Sequence, residues 1–387
     1  MSMPSAVRQT NETRVRHALL AQGPMSRADL ARELSLTRAT ASNLVANLME
    51  AAQVIELAED APQKQQRTGR PSTLVALNPD HALSLGAYIG ADHVALCAVD
   101  YAGQTRHFEE APIREGQSAP EQMAETLAAL VSSFAATLPE SKTLAGLNVA
   151  IPGIVTLDGD VLRAPPLGWG PVALKTVLED RIPGVSIDLL LNDANAFAFA
   201  AQRKLQDFAL SNAVFVLVED GVGGCLLSDG KLLQGQSGLA GEIGHIPVGD
   251  QGFINLCGIE GALENFFGRR AVLARFSARG GKADSLSQFL ALVTQGDPLA
   301  QDVQRECGAY FARGLAITTA LLNPEAIVIG GRASALVAQT LGELERQIQA
   351  HLLPTTTKPK LLLSDVGREG SAVGAAYLHH ASLHELP

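Results

Sequence analysis

Between Leu34 and Glu50 the chain carries no acidic residue, while Thr37, Arg38, Thr40, Ser42 and Asn43 offer hydroxyl, guanidinium and amide donors in quick succession. Donors of these types reach phosphate oxygens and base edges, and the missing carboxylates leave nothing on that stretch to repel a nucleic-acid backbone. A second cationic group, Lys64, Arg67 and Arg70, sits in the acid-free run APQKQQRTGRP. Its Gly-Arg-Pro step presents an extended arginine suited to a narrow minor groove. For either arginine taken singly, a solvated hairpin loop is the open alternative.

Specific elements must position these donors. From Asn11 the text reads as short helical patterns broken at Gly23-Pro24 and at Leu34 to Leu36. Ser26 followed by Asp29 is a helix-start signature, and Thr37 is a natural cap for the next helix. In that next helix Ala41, Leu44, Val45 and Leu48 follow the i, i+3, i+4, i+7 rule, which turns Ala39, Asn43 and Asn47 outward. Val54 to Leu57 and Ser72 to Leu77 read as two strands around the basic loop. The expectation is a winged helix-turn-helix over residues 1–80, with NPDHA at Asn78 to Ala82 as linker. An ordinary helical hairpin with a polar surface is the alternative.

The rest of the chain repeats itself. LSLGAYIGADHVALCAVDYAG from Leu83 and AVFVLVEDGVGGCLLSDGKLL from Ala213 each run strand, glycine turn, strand, turn. With helical stretches at Ala119 to Leu138 and Ala194 to Leu205, the pattern predicts an α/β body of two lobes, 81–190 and 191–387, with a C-terminal helix packing back on the first. Two unrelated hairpins would look similar. Of the net charge of −10, residues 1–80 hold nine basic against eight acidic residues, and the remainder 21 against 32. That division suits a nucleic-acid-touching head on an acidic body. The most apolar segment, Leu144 to Leu157, is interrupted by Gly146, Asn148, Pro152 and Gly153, so no membrane span is expected. The opening MSMPSAVRQTNETR lacks an apolar signal core, which favours the cytoplasm. Cys97, Cys225, Cys257 and Cys307 lie too far apart to form a paired framework.

The string GLAGEIGHIPV at Gly238 to Val248 resembles the signature of the ROK (repressor, open reading frame, kinase) family. VAIPGIV at Val149, APPLGW at Ala164, LNDANAFA at Leu191, CGIEGALE at Cys257 and NPEAIVIGG at Asn323 match that family in the same order. The resemblance implies a duplicated actin-like and hexokinase-like body behind a DNA-reading head. It implies that Asn192, Asp193, Glu242, His245 and Glu264 contact sugar hydroxyls, with the loop at Gly153 lining the cleft. In the family's kinases the aspartate at the position of Asp193 is the general base. A helix cap at Asp193, a loop brace at Glu242 and a satisfied histidine at His245 are the plainer readings. Pro166 stands where an asparagine that helps hold the sugar is common.

The resemblance also carries departures. Where family kinases place Asp-x-Gly-x-Thr, this chain has Tyr88-Ile89-Gly90-Ala91-Asp92, and for Gly-Thr-Gly it has Glu219-Asp220-Gly221. Three acidic groups, Asp92, Glu219 and Asp220, facing the nucleotide without a matched metal arrangement would repel polyphosphate, so no kinase activity and no cofactor are expected; a metal bridging those acids is the open alternative. The three cysteine positions of the family's zinc segment read Asn255, Cys257 and Ala262, leaving one thiolate and predicting no structural metal; packing around Phe253, Ile254 and Leu256 would hold the loop instead. The expected function is a sugar-responsive regulator, a repressor of carbohydrate genes, with a double-stranded operator as partner and a homodimer or dimer of dimers as assembly. A sugar kinase with an added head, and a regulator whose signal is a protein, are the rivals.

Overall fold

A computed structural model describes residues 5–57, 73–114, 116–139, 142–156, 158–205, 208 and 210–384. The head comprises α1 (Ser5–Gln22), β1 (Met25–Ser26), α2 (Arg27–Glu33), α3 (Arg38–Glu50), β2 (Val54–Glu56) and β3 (Leu74–Leu77). Ser26 accepts the Asp29 amide and Thr37 accepts the Thr40 amide, so both anticipated caps form. Ala41, Leu44, Val45 and Leu48 are buried, as their spacing predicts. Leu30 and Leu44, at 0 and 1% exposure, each contribute roughly 1.5–3 kcal/mol of burial to a core this small. The helix expected near Asn11 begins at Ser5. A two-residue strand, β1, joins β3 on the side away from β2, a pairing too short to leave any periodic trace. Lys64, Arg67 and Arg70 lie outside the described residues.

The body continues with β4 (Leu83–Ile89), β5 (His93–Asp100), β6 (Thr105–Pro112), α4 (Pro120–Ala135), β7 (Leu144–Ile151), β8 (Ile154–Val155), β9 (Val161–Arg163), α5 (Leu174–Arg181), β10 (Ile187–Asn192) and α6 (Asp193–Lys204). A second series follows: β11 (Ala213–Val218), β12 (Val222–Ser228), β13 (Lys231–Leu232), α7 (Arg269–Ala278), α8 (Leu286–Gln295), α9 (Pro298–Leu322), β14 (Ala326–Gly330), α10 (Ala335–Ala338), α11 (Leu341–Ala350), β15 (Lys360–Leu363) and α12 (Gly370–His384). One sheet runs β10-β7-β4-β5-β6 and the other β15-β14-β11-β12-β13. In each, a three-stranded antiparallel meander is extended by two parallel strands, so the repetition seen in the text is a repetition of topology.

Each series buries its own core. Leu85, Leu96, Met123 and Leu127 fill the first, and Phe267, Phe289, Phe311 and Leu315 the second. The last helix of each series crosses over: α6 packs on β11 and β12, while α12 packs on β4, β5 and β7. That second crossing is tight. A Cβ at Gly86 would lie 2.1 Å from the Ala376 nitrogen, so only glycine lets α12 lie this close to β4. Among the described residues, no helix is long and apolar enough to cross a membrane.

Candidate functional site

On α3, Arg38 and Asn43 are exposed, and Thr40 and Ser42 are half-buried. Thr37 and Thr40 bond one another at 2.9 Å, so these two hydroxyls first fix the start of the helix. Arg38 and Asn43 therefore stand out as the donors most open to a ligand.

The cleft of the body is built from two sides. At its first edge β10 ends in Asn192, which caps α6 by accepting the Ala194 amide at 2.8 Å and donates to the Gly153 carbonyl at 3.0 Å. The cap that Asp193 was allowed on sequence grounds thus falls to its neighbour, although the Asp193 carboxylate also accepts the Ala194 amide, at 2.9 Å. Burial, reinforced by Glu219 and Glu242 across the cleft, pushes the Asp193 carboxyl up to about 8. On the opposite edge His245 faces Glu242 at 3.4 Å and Glu264 at 3.7 Å. Burial raises the Glu242 carboxyl; the His245 ring opposes this and Glu264 adds to it. The six residues therefore form two groups, Gly153-Asn192-Asp193 and Glu242-His245-Glu264, joined by their mutual fields. Such a set of carboxyls, an amide and an imidazole can donate to and accept from a ring of hydroxyls. Pro166 is exposed and brings no polar side chain.

The acids of the two glycine turns have arginine partners that the sequence reading did not identify. Arg332, two residues beyond β14, places its Nη1 2.9 Å from Asp92 and its Nε 2.5 Å from Glu219, while its main-chain nitrogen donates to Glu219 at 2.8 Å. Its guanidinium spans the turn of one lobe and the turn of the other. Arg368 adds a contact to Asp92 at 3.3 Å, and Arg269 pairs with Asp220 at 2.5 Å. His93, hydrogen-bonded to Asp92, and then Arg332 hold that carboxyl well below the usual carboxylate range. Tyr88 is half-buried in the same region, its ring 5.0 Å from that of His93, and burial drives its phenol far above the ordinary value. These arginines were missed because ion pairs between residues so far apart in the chain follow no local period. The only signal was an arginine directly after the Gly330-Gly331 pair.

The family's zinc segment is rebuilt with amides. Asn265, 1% exposed, accepts the Leu256 amide and donates to the Ile259 carbonyl at 2.7 Å. Asn255 accepts the Gly258 amide at 2.7 Å. Phe253 packs against Phe266 and Tyr310, the aromatic part of the anticipated packing. Arg163 on β9 donates to the Cys257 carbonyl at 2.8 Å and so ties this loop to the other side of the cleft. His245, Cys257 and Glu264 do bring ligand atoms within 4.8 Å of one another, a trio that sequence reading did not assemble. Among the described residues no fourth protein ligand completes a tetrahedral set with this trio, so the residues do not fit the family's structural zinc.

Comparison with known proteins agrees with this architecture. The ROK family model matches residues 84–382. The xylose repressor of Caldicellulosiruptor bescii is 27% identical over 86% of each chain, and that of Bacillus subtilis is 24% identical over 95% of this chain and 94% of its own. N-acetylmannosamine kinase of Escherichia fergusonii is 31% identical over 76% of this chain and 97% of its own. Among solved structures, a ROK family transcriptional regulator described as a homolog of the E. coli MLC protein superposes with a TM-score of 0.79 at 26% identity, covering 98% of this chain and 97% of its own. A ROK family glucokinase from Streptomyces griseus, solved with glucose and AMPPNP, gives 0.64 at 26% identity, covering 77% of this chain and 99% of its own. Glycine-turn meanders repeated in two sheets, crossed terminal helices and the matched span together show that the chain belongs to the ROK family.

Proposed function

We propose that this chain is a sugar-responsive DNA-binding transcriptional regulator, a repressor of carbohydrate uptake or catabolism genes working in the cytoplasm. Residues 1–80 form its DNA-reading head, and residues 81–190 and 191–387 form the two lobes that hold the sugar between them. The observation that carries this reading is one chain joining a capped helix-turn-helix, with Arg38 and Asn43 exposed, to a polar cleft whose phosphate turns are spanned by Arg332. The relatives named xylose repressor, which match it from head to body, support the same reading.

The chemistry favours binding over phosphoryl transfer. With its carboxyl raised by burial and by Glu219 and Glu242, Asp193 can donate a hydrogen bond to a sugar hydroxyl when protonated and accept one when ionised. A nucleotide would also have to displace Arg332 from two carboxylates before its phosphates reached the turns. As a homodimer or dimer of dimers, the protein would read half-sites roughly 34 Å apart or a multiple of that, so closing the lobes changes operator affinity by reorienting two heads.

The test is fluorescence anisotropy on DNA from upstream of the chain's own gene, titrated with D-xylose, D-glucose, N-acetyl-D-mannosamine and their phosphates at fixed salt. Specific binding shifted by one sugar supports the reading. Specific binding indifferent to every sugar points to a protein signal, and ATP-dependent phosphorylation of any of them overturns it.

A further inference from the structure

Alternation along β4 sends Leu85, Ala87 and Ile89 into the core of the first lobe and leaves Gly86 and Tyr88 on the opposite face. There the Tyr88 side chain packs against two clusters of mostly small residues, one including Ala95, Cys97 and Ala372, the other Ala150, Leu191 and Ala196. Its ring turns back over the first glycine turn, since a Cβ at Gly90 would lie 2.7 Å from both Cζ and Oη of the tyrosine. The phenol is therefore held in a socket and stands above the turn.

That position borders the sugar-facing groups. Tyr88 on β4 and Leu191 on β10 both pair with Ala150 of β7, so the tyrosine is level with a residue two places before Asp193, at the carboxyl ends of parallel strands. Burial first, then the carboxyls of Asp193 and Glu219, raise its phenol, in agreement with a place between the cleft and the bridged turns. Among the described residues nothing hydrogen-bonds the Tyr88 hydroxyl, which leaves a donor and an acceptor unused beside Asp193.

This end of the cleft has little to offer an anion. Arg332 already serves Asp92 and Glu219, Arg368 faces Asp92 and Glu110, and Arg269 faces Asp220. The start of α6, where free amides would attract a phosphate, is filled by its own side chains: Asn192 and Asp193 both accept the Ala194 amide. Across the cleft Arg163 donates to the Cys257 carbonyl, on the segment that continues into Glu260 and Glu264. A phosphate monoester would bring about 1.5–2 negative charges against these carboxylates.

We propose that the cleft selects an uncharged, unphosphorylated sugar and that Tyr88 is a specificity-determining residue for it, closing the pocket towards the glycine turns and giving its hydroxyl to the sugar hydroxyl nearest Asp193. The inference deepens the reading that a sugar binds the cleft and rests on it.

Isothermal titration tests the selection. D-xylose, D-glucose and N-acetyl-D-mannosamine are each compared with their phosphate monoesters at fixed salt. The best-binding neutral sugar is expected to bind at least about tenfold more tightly than any phosphate, because like charges brought together are costly. A phosphate ester within tenfold of that sugar, or tighter than it, overturns the selection and leaves a sugar-responsive regulator standing. No binding by any member of the panel removes the sugar reading and this inference together.

Two variants test the residue. Tyr88→Phe keeps the ring in its socket and removes the hydroxyl; Kd for the best sugar is expected to rise about three- to tenfold, with operator affinity in the absence of sugar unchanged. An unchanged sugar Kd refutes the contact. Tyr88→Ala empties the socket and is titrated with mono-O-methyl ethers of the best sugar, one at each hydroxyl in turn. An ether refused by the parent and by Tyr88→Phe but bound by Tyr88→Ala marks the hydroxyl that faces the ring. A Tyr88→Ala protein that keeps its operator affinity and admits no additional ether shows that the ring does not close the pocket. Tyr88→Phe, nearly isosteric with the parent, carries the test of the contact if the emptied socket fails to fold.

Discussion

Replacing Arg332 with glutamine removes both ion pairs that its side chain makes across the cleft while keeping the main-chain hydrogen bond to Glu219. The side chains of Arg332 and Asp92 are 43 and 47% exposed and that of Glu219 is 26% exposed, so each pair is screened by solvent and contributes in the range of about 0.2–1 kcal/mol. Asp92 retains His93 and Arg368, which lowers the loss further. A net of about 1 kcal/mol against the closed arrangement corresponds to roughly a fivefold change in the closing equilibrium. Isothermal titration with the best-binding sugar is expected to show Kd raised by up to about fivefold in Arg332→Gln. Raising the salt from about 0.05 to 0.5 M should weaken sugar binding in the parent more than in the variant, since exposed pairs are what salt screens. An unchanged or tighter Kd with the same salt response in both proteins would refute the claim that this arginine holds the lobes together.

Arg38→Ala is expected to weaken operator binding by about tenfold or more and to leave sugar titrations unchanged, whereas Glu242→Ala does the reverse; filter binding and calorimetry on both variants separate the two. Asp193 is raised from near 4 to about 8 by burial and two neighbouring acids, so its contribution to stability is complete below about pH 4 and is lost as pH rises to 8. Asp193→Asn should flatten that alkaline decline in chemical denaturation curves. His384 behaves with the opposite sign: burial and the neighbouring His380 lower it from 6.5 to about 3, so its contribution is present above pH 6.5 and lost as pH falls towards 3. Melting curves of His384→Gln should lose part of the acid-side decline. Asn265→Ala leaves the Leu256 amide without a partner and takes away the shortest of the hydrogen bonds to the Ile259 carbonyl, and is expected to cost about 1–3 kcal/mol, readable as a drop in the urea midpoint.

What the sequence made legible follows from how local each signal is. Caps such as Ser26 and Thr37, and the buried stripe of Ala41, Leu44, Val45 and Leu48, depend on residues within one or two turns and were readable directly. The repeated lobe was readable because its two meanders keep the same order of strands and glycine turns. The charge balance of the cleft was not, since Arg332 and Asp92 come together only when two lobes pack. Counting charges along the chain finds Asp92, Glu219 and Asp220 but not the arginines that packing brings to them. The same applies to Asn265, whose amide replaces metal-held geometry through contacts that no cysteine count suggests.

The crossing of the two terminal helices also bears on how the chain is made. The face of the first sheet formed by β4 and β5 is covered by α12, the last of the described elements to leave the ribosome, and Leu83 and His384 lie about 300 residues apart. At a synthesis rate of roughly 5–20 residues per second, that face waits about 15–60 s for its cover. A chain interrupted before α12 would leave that face of the first sheet uncovered and the packing of the last helix against α6 unmade.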